Sequence, residues 1–323
     1  MTRPRLLNGD VRQELKKLHT ESIHCVVTSP PYWGLRDYGS EGQLGLEETP
    51  EEYIDNMVEV FREVKRVLRK DGTLWLNIGD NYFGGGRGED RKYKGAYDSV
   101  ETSKPDWKKV KGLKPKDLVG IPWRLALALQ ADGWWLRNDI IWSKPNPMPE
   151  PVKDRLTKSH EYIFLLTKSK TYYYDYEAIK EPYSESSIER INQVTFDSQS
   201  GGNKDYGKVS VHSKNTNSIR GTLEKFKENL GTGRNRRTVW EIVTRSYPEA
   251  HFATFPEEIP ELCIKAGTKA GDLVLDPFAG SGTTCAVASR LGRDSIGIEL
   301  NEEYLKLARK RCKIESESLF NYV

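Results

Sequence analysis

The stretch Thr28-Ser29-Pro30-Pro31-Tyr32-Trp33 places a hydroxyl, two consecutive prolines and two aromatic rings side by side. Consecutive prolines fix the backbone and remove two amide donors, so the carbonyls there are free to accept from something else. Ser29 adds a further acceptor, and Tyr32 offers a flat face. This set suits the gripping of an aromatic amine. Such an amine is a poor nucleophile because its lone pair is delocalised into the ring. Accepting its hydrogens at the Ser29 hydroxyl and the Pro30 carbonyl would localise that pair, and stacking on Tyr32 would hold the ring. On its own, the segment is more simply an ordinary strand-ending turn.

A second stretch changes that balance. Asp276-Pro277-Phe278-Ala279-Gly280-Ser281-Gly282-Thr283-Thr284 follows an apolar run and precedes a helical pattern. A strand-to-helix turn of small residues lets a ligand approach the backbone and the helix N-terminus. Glu299 falls about 20 residues further on, where an acid can accept both ribose hydroxyls of a nucleoside cofactor. A dinucleotide is the competing ligand. It calls for a third glycine, where this chain has Thr283-Thr284, and Asp276 would repel a pyrophosphate. A carboxylate suits the ammonium of a methionine moiety, which favours S-adenosylmethionine.

The elements needed to position these groups can be read from the pattern. A helix over 11–18 leads to a buried strand over 23–27. Thr49, Pro50, Glu51 and Glu52 open a long helix whose apolar residues Tyr53, Met57, Val60, Phe61 and Val64 share one face, and Asp71-Gly72 stops it. A strand over 73–78, a helix over 122–131 and strands over 135–142 and 162–167 follow. Residues 83–116 read as a mobile loop, and 144–151 as a proline-rich one. Helices over 257–266, 283–291 and 302–312 alternate with strands over 273–275 and 295–298. This alternation implies a doubly wound, mostly parallel sheet.

The chain has 323 residues and a formal net charge of +3, too mild to identify a nucleic-acid binder by itself. The basic segments 87–116 and 204–237 read as solvated surface, or as phosphate contacts if the site acts on a base. Cys25, Cys263, Cys285 and Cys312 lack metal-ligand spacing and follow no proline. They read as reduced thiols, no metal is expected, and a cysteine nucleophile of the cytosine-C5 type is disfavoured. No secretory leader or membrane-spanning run is visible, so a cytoplasmic protein is expected.

Taken together, Ser29-Pro30-Pro31-Tyr32 near the N-terminus and residues 276–282 near the C-terminus resemble the β-class amino-methyltransferases of restriction–modification systems and phages. The likeness covers most of the chain outside the two basic segments. It implies a Rossmann-like α/β fold, a circularly permuted class I methyltransferase with a small target-recognition lobe. The catalytic half would be 1–171, the target-recognition region 172–238 and the cofactor-binding half 239–323. It implies S-adenosylmethionine as cofactor and DNA as partner, with a cognate restriction endonuclease as a possible companion and no membrane.

By the same likeness, the site residues would be Ser29, Pro30, Pro31 and Tyr32, with Asn77 and Asp80 facing the base; no proton acceptor is obvious, and the proton would leave to water or to Asp80. A structural cap is an equal reading for Asn77 and Asp80. Asp10, Thr254 within 251–256, Asp276, Pro277, Phe278, Gly280, Ser281, Gly282 and Glu299 would hold the cofactor. Residues 144–151 would face DNA. Serine at position 29 marks most cytosine-N4 members, whereas adenine-N6 members usually carry Asp or Asn there. Methylation of RNA or of a protein glutamine is a further enzymatic reading, and a DNA-binding module with an inactive cofactor fold is the non-enzymatic one. Replacing 204–237 with a relative's segment should change which DNA sequence is methylated and spare the catalytic rate. Sequencing with modified-base detection checks this, and an unchanged sequence choice would move recognition to 87–116 or 144–151.

Overall fold

The computed structural model describes residues 4–35, 37, 39–83, 110–186, 189, 233–244 and 255–314. One mixed sheet of eight strands organises them, in the order β1-β8-β7-β2-β3-β5-β4-β6. These strands are β1 (Pro4–Asn8), β2 (Ile23–Thr28), β3 (Leu68–Ile78), β4 (Trp135–Ser143), β5 (His160–Thr167), β6 (Val239–Glu241), β7 (Leu273–Asp276) and β8 (Asp294–Glu299). Neighbours are parallel except where β5 runs against β3 and β4.

Helices cover both faces, because strand residues alternate in direction and both sets are apolar. On one face lies α2 (Pro50–Val67). It starts where the Thr49 hydroxyl accepts from the Glu52 amide at 3.2 Å, with Pro50 in the first turn. Its Tyr53, Met57, Phe61 and Val64 share a buried cluster with Val26, Leu74, Leu76 and Phe164 of the sheet. Each such side chain contributes roughly 2 kcal/mol by leaving water, so this face decides how the helix docks. The cluster also takes in Ile121, Leu125 and Leu129 of α3 (Ile121–Ala131).

On the other face α4 (Glu258–Gly267) comes close to the sheet. A Cβ at Gly267 would stand 2.5 Å from Thr73 Oγ1 and 3.0 Å from Cys25 Sγ. Helices α5 (Thr283–Arg290) and α6 (Glu302–Arg311) accompany β7 and β8. Among the described residues, no helix is long and apolar enough to cross a membrane.

Two elements differ from expectation. The helix over 11–18 is a short α1 (Val11–Glu14) followed by a 3-10 turn, Leu15–Lys17, which still buries Leu15. The strand expected from residue 73 begins at Leu68, directly after α2. The β2–β3 register shifts between Ile23, opposite Leu68, and Cys25, opposite Thr73. Residues 69–72 therefore bulge, and Arg69 closes the bulge on Asp71 at 3.0 Å. Asp71-Gly72 lies in that bulge and does not stop the helix, which ends earlier, at Val67. Of the expected loop 83–116, residues 84–109 lie outside the described part. At its ends, Phe83 exchanges backbone hydrogen bonds of 2.7 Å with Lys116 and Asp117.

Contacts divide the chain into a unit of residues 1–175 with 238–323, and a second unit of residues 176–237. Within the second, Glu181 and Arg234 form a backbone bridge, and the Glu181 carboxylate accepts from Arg234 and Arg237 at 2.9 Å.

Gly282 precedes α5 with φ of 78°, and a Cβ there would meet the Ala308 Cβ of α6 at 2.9 Å. Left-handed geometry costs an L-residue about 1–2 kcal/mol before any clash. Gly282→Ala is therefore expected to lower unfolding free energy by about 2 kcal/mol in chemical denaturation. Wild-type stability would mean that α6 does not pack against this turn.

Candidate active site

The two chemical stretches meet because β2 and β7 are adjacent and parallel. Cys25 lies opposite Val274 and Val26 opposite Leu275, so the strands end at the same level of the sheet. The Thr28 hydroxyl, at the tip of β2, donates to Asp276 Oδ1 at the tip of β7 over 2.7 Å. Beyond both tips opens a cavity of about 320 Å³. Ligands of open α/β sheets bind at this position, outside the carboxyl ends of the strands.

One wall carries Ser29, Pro30, Pro31 and Tyr32. The Pro31 carbonyl accepts from the Tyr53 hydroxyl of α2 at 2.8 Å. No described residue donates a hydrogen bond to the Pro30 carbonyl. The Ser29 hydroxyl donates to the Tyr32 oxygen at 3.3 Å, and the Tyr32 hydroxyl donates to Glu161 Oε2 at 2.7 Å. Asn77 Oδ1 stands 3.3 Å from the same hydroxyl, while its amide donates to the Tyr162 carbonyl at 3.1 Å and to Glu161. Lys144 pairs with the other Glu161 oxygen. The Tyr32 ring rests on Gly79, where a Cβ would come within 2.6 Å of it.

The opposite wall carries Pro277, Phe278, Gly280, Ser281 and Glu299. Glu299 is held at both oxygens: Oε2 accepts from the Gly280 amide and Oε1 from the Asn301 amide, each at 2.8 Å. Each oxygen keeps a lone pair for a ligand hydroxyl. Burial raises the Glu299 carboxyl above its ordinary value. Gly280 has φ of 50° and only open space within 4 Å of where its Cβ would be, so a ligand can approach its backbone. A fixed carboxylate, an aromatic ring and an open glycine turn beside one cavity fit the adenosine part of S-adenosylmethionine.

Asp10 also lines the cavity. It caps α1 by accepting from the Arg12 amide at 2.7 Å, and it pairs with the Arg12 guanidinium, which holds its carboxyl below the ordinary value. The Arg12 guanidinium donates on to the Gly42 carbonyl at 3.1 Å.

Several expected site residues lie elsewhere. Asp276 is only 2 % exposed and sits beneath the cavity. Its Oδ1 takes the Thr28 hydroxyl and the Phe278 amide, so it ties the two walls together instead of offering a face to an ammonium. Asp80 is turned away as well. It accepts from the Gly120 and Ile121 amides at 3.0 and 3.1 Å, capping α3, and burial raises its carboxyl. Lys158, with its ammonium lowered by burial, donates to the Asp80 carbonyl. Gly282 packs on α6 and does not line the cavity. Thr254 lies outside the described residues, although Phe255 reaches the cavity. Glu161 and Lys144 went unsingled in the sequence. Glu161 precedes the apolar run of β5, and an acid at the mouth of a buried strand was the available signal.

This fold and cavity define a class I, S-adenosylmethionine-dependent methyltransferase. The N6/N4 family model described as DNA methylase matches residues 23–310. The Type II methyltransferase M.SmaI of Serratia marcescens is 48 % identical over 310 residues, covering 95 % of this chain and 90 % of that protein. M.Cfr9I of Citrobacter freundii is 46 % identical over 317 residues, covering 97 % and 89 %. Among solved structures, a DNA modification methylase of Thermus thermophilus in complex with S-adenosyl-L-methionine aligns with a TM-score of 0.57 at 25 % identity, over 96 % of this chain and 93 % of that one. The PvuII DNA methyltransferase (cytosine-N4-specific) shares the fold with a TM-score of 0.64 at 20 % identity, over 98 % and 89 %. The chain belongs to the N6/N4 DNA methylase family: it is a Type II DNA amino-methyltransferase of the restriction–modification kind.

Burial pushes the Asp276 carboxyl from 3.8 up to about 6. A group that holds its proton more tightly when folded takes up protons on folding, so stability falls as pH rises between those values. The loss from Asp276 is on the order of 3 kcal/mol, and the raised Asp80 and Glu299 add to it in the same direction. Asp276→Asn should flatten this decline in urea unfolding measured from about pH 4 to 7. Parallel curves for variant and wild type would show that Asp276 does not charge in that window.

Proposed function

We propose that the enzyme methylates N4 of a cytosine turned out of the DNA duplex. The observation that carries this reading is the pairing of a hydroxyl, Ser29, with a Pro30 carbonyl that no described residue occupies, beside the Tyr32 ring. Two acceptors so placed can take both hydrogens of an exocyclic amine and localise its lone pair. Tyr32 is fixed by Glu161 and Gly79 and can support a flipped base by stacking. A serine at position 29, where the resemblance sets Asp or Asn for most adenine-N6 members, favours cytosine over adenine. Adenine N6 is the second reading, because the same two acceptors serve either amine.

Bound S-adenosylmethionine would supply an electrophilic methyl group on a sulfonium, already activated without a metal. Glu299 would hold its ribose hydroxyls, Phe278 and Asp10 would border the adenine, and Gly280 would allow close approach. Asp276 would act at one remove, by keeping Thr28, and so Ser29, in register with the 277–282 turn. Residues 172–238 would read the target sequence, with the basic residues there and in 87–116 meeting phosphates. A restriction endonuclease of the same specificity would be its companion, and the cytoplasm its place of action.

Ser29→Ala is expected to slow methyl transfer about a hundredfold, as loss of a positioned hydrogen-bond partner does, and to leave cofactor affinity within twofold by calorimetry. Wild-type turnover would remove Ser29 from the chemistry. Mass spectrometry of DNA methylated by the wild-type enzyme should reveal N4-methylcytosine, and N6-methyladenine in its place would overturn the choice of base.

A further inference from the structure

We infer that Glu161 receives the proton released by methyl transfer, through a relay of two hydroxyls running from Ser29 to Tyr32 to Glu161. This rests on the reading of Ser29 as the amine's acceptor. The hydrogen bonds point one way along that path. Ser29 Oγ donates to Tyr32 at 3.3 Å, and Tyr32 donates to Glu161 Oε2 at 2.7 Å. Asn77 cannot reverse the direction. Its amide hydrogens are directed at Glu161 and the Tyr162 carbonyl, so toward Tyr32 it presents the acceptor Oδ1. With the Tyr32 proton committed to Glu161 and the Ser29 proton committed to Tyr32, the free lone pairs of Ser29 face the cavity. That polarity admits an amine and disfavours a base that presents a carbonyl oxygen.

The same chain balances the chemistry. The amine lone pair forms the N–CH3 bond as the C–S bond breaks, its electron pair staying on sulfur. The nitrogen then carries one proton too many. That proton passes to Ser29 Oγ as the Ser29 proton passes to Tyr32 and the Tyr32 proton to Glu161 Oε2. The base ends neutral, both hydroxyls are restored, and Glu161 becomes a carboxylic acid beside the Lys144 ammonium. Asp80, which the sequence offered beside water as a destination for the proton, is committed to capping α3 and stands off this path. Glu161 lines the cavity too, but in this relay it acts on the base through Tyr32, so it is a positioning and proton-accepting residue.

The test uses the full-length enzyme in single-turnover methylation of its DNA. Glu161→Gln keeps shape and removes the base. It should slow transfer about a hundredfold while Kd for S-adenosylmethionine and KM for DNA stay within twofold. Tyr32→Phe cuts the relay, and adding it to Glu161→Gln should cost little more than either change alone, as for residues that act as a unit. Glu161→Ala should recover rate with added formate in proportion to its concentration, and the Glu161→Ala, Tyr32→Phe double variant should not. A structural role would give no formate dependence. Slow transfer in Ser29→Ala with wild-type rate in Glu161→Gln would overturn the relay and leave the amine grip standing. Wild-type rate in Ser29→Ala would bring down the grip itself. An absence of formate rescue would overturn Glu161 as proton acceptor.

Discussion

The hydrogen bond between Thr28 and Asp276 spans 248 residues of sequence and closes the site. A carboxylate buried this deeply is costly unless its lone pairs are used. Asp276 meets that condition with the last side chain of β2 and with the amide of Phe278 in its own turn. The arrangement is possible because β2 and β7 are parallel neighbours and end together. An antiparallel pairing of these two strands would send their following loops to opposite edges of the sheet. The order of the motifs in the chain thus matters less than their adjacency in the sheet, which a permuted connection preserves.

Glycines complete the arrangement at three places for three different reasons. Gly280 keeps space open above a left-handed turn, so its lack of a side chain serves a ligand. Gly282, two residues on, has its missing Cβ position filled by Ala308 and serves the packing of α6. Gly79 does neither: it lets the Tyr32 ring lie against the end of β3, which puts the hydroxyl within reach of Glu161. A Gly-x-Gly pattern alone cannot separate the first role from the second, because both positions have positive φ.

The α/β alternation and the long amphipathic α2 were legible from residue types and spacing, and the pairing of the Pro-Pro turn with the glycine turn came from the family resemblance. Those signals depend on local chemistry and on apolar periodicity, which survive in a linear reading. What the sequence hid was the direction of buried carboxylates. Asp80 follows a strand and could face a ligand or cap a helix. It caps one 40 residues later in the chain, because α3 opens with Gly120, which has no side chain to do so. An uncapped Gly-Ile-Pro helix start is itself a signal that some distant acid is needed. Asp276 was assigned to a ligand for the same reason, since a strand-tip acid looks exposed until its partner on another strand is known. Glu161 was passed over because it sits where an apolar strand begins, and such flanking charges are usually solvated.

The Glu161–Lys144 pair also links two tasks that are separate in sequence. Lys144 opens the loop that closes again at Ser159, where the Lys144 amide donates to the Ser159 carbonyl at 2.8 Å. Farther along, Lys158 reaches back to the carbonyl of Asp80, and Arg155 lies 3.9 Å over the Tyr82 ring while paired with Glu150. The loop is thus pinned at its base by the residues that set the far end of the hydroxyl chain. Its tip carries Met148 and Leu156 into solvent, 83 % and 90 % exposed. The loop is held at Asn146 as well, whose side-chain amide donates to the Thr244 carbonyl at 3.1 Å and whose Oδ1 accepts from the Thr244 amide at 2.9 Å, so Lys144 meets Glu161 from a segment fixed at several points.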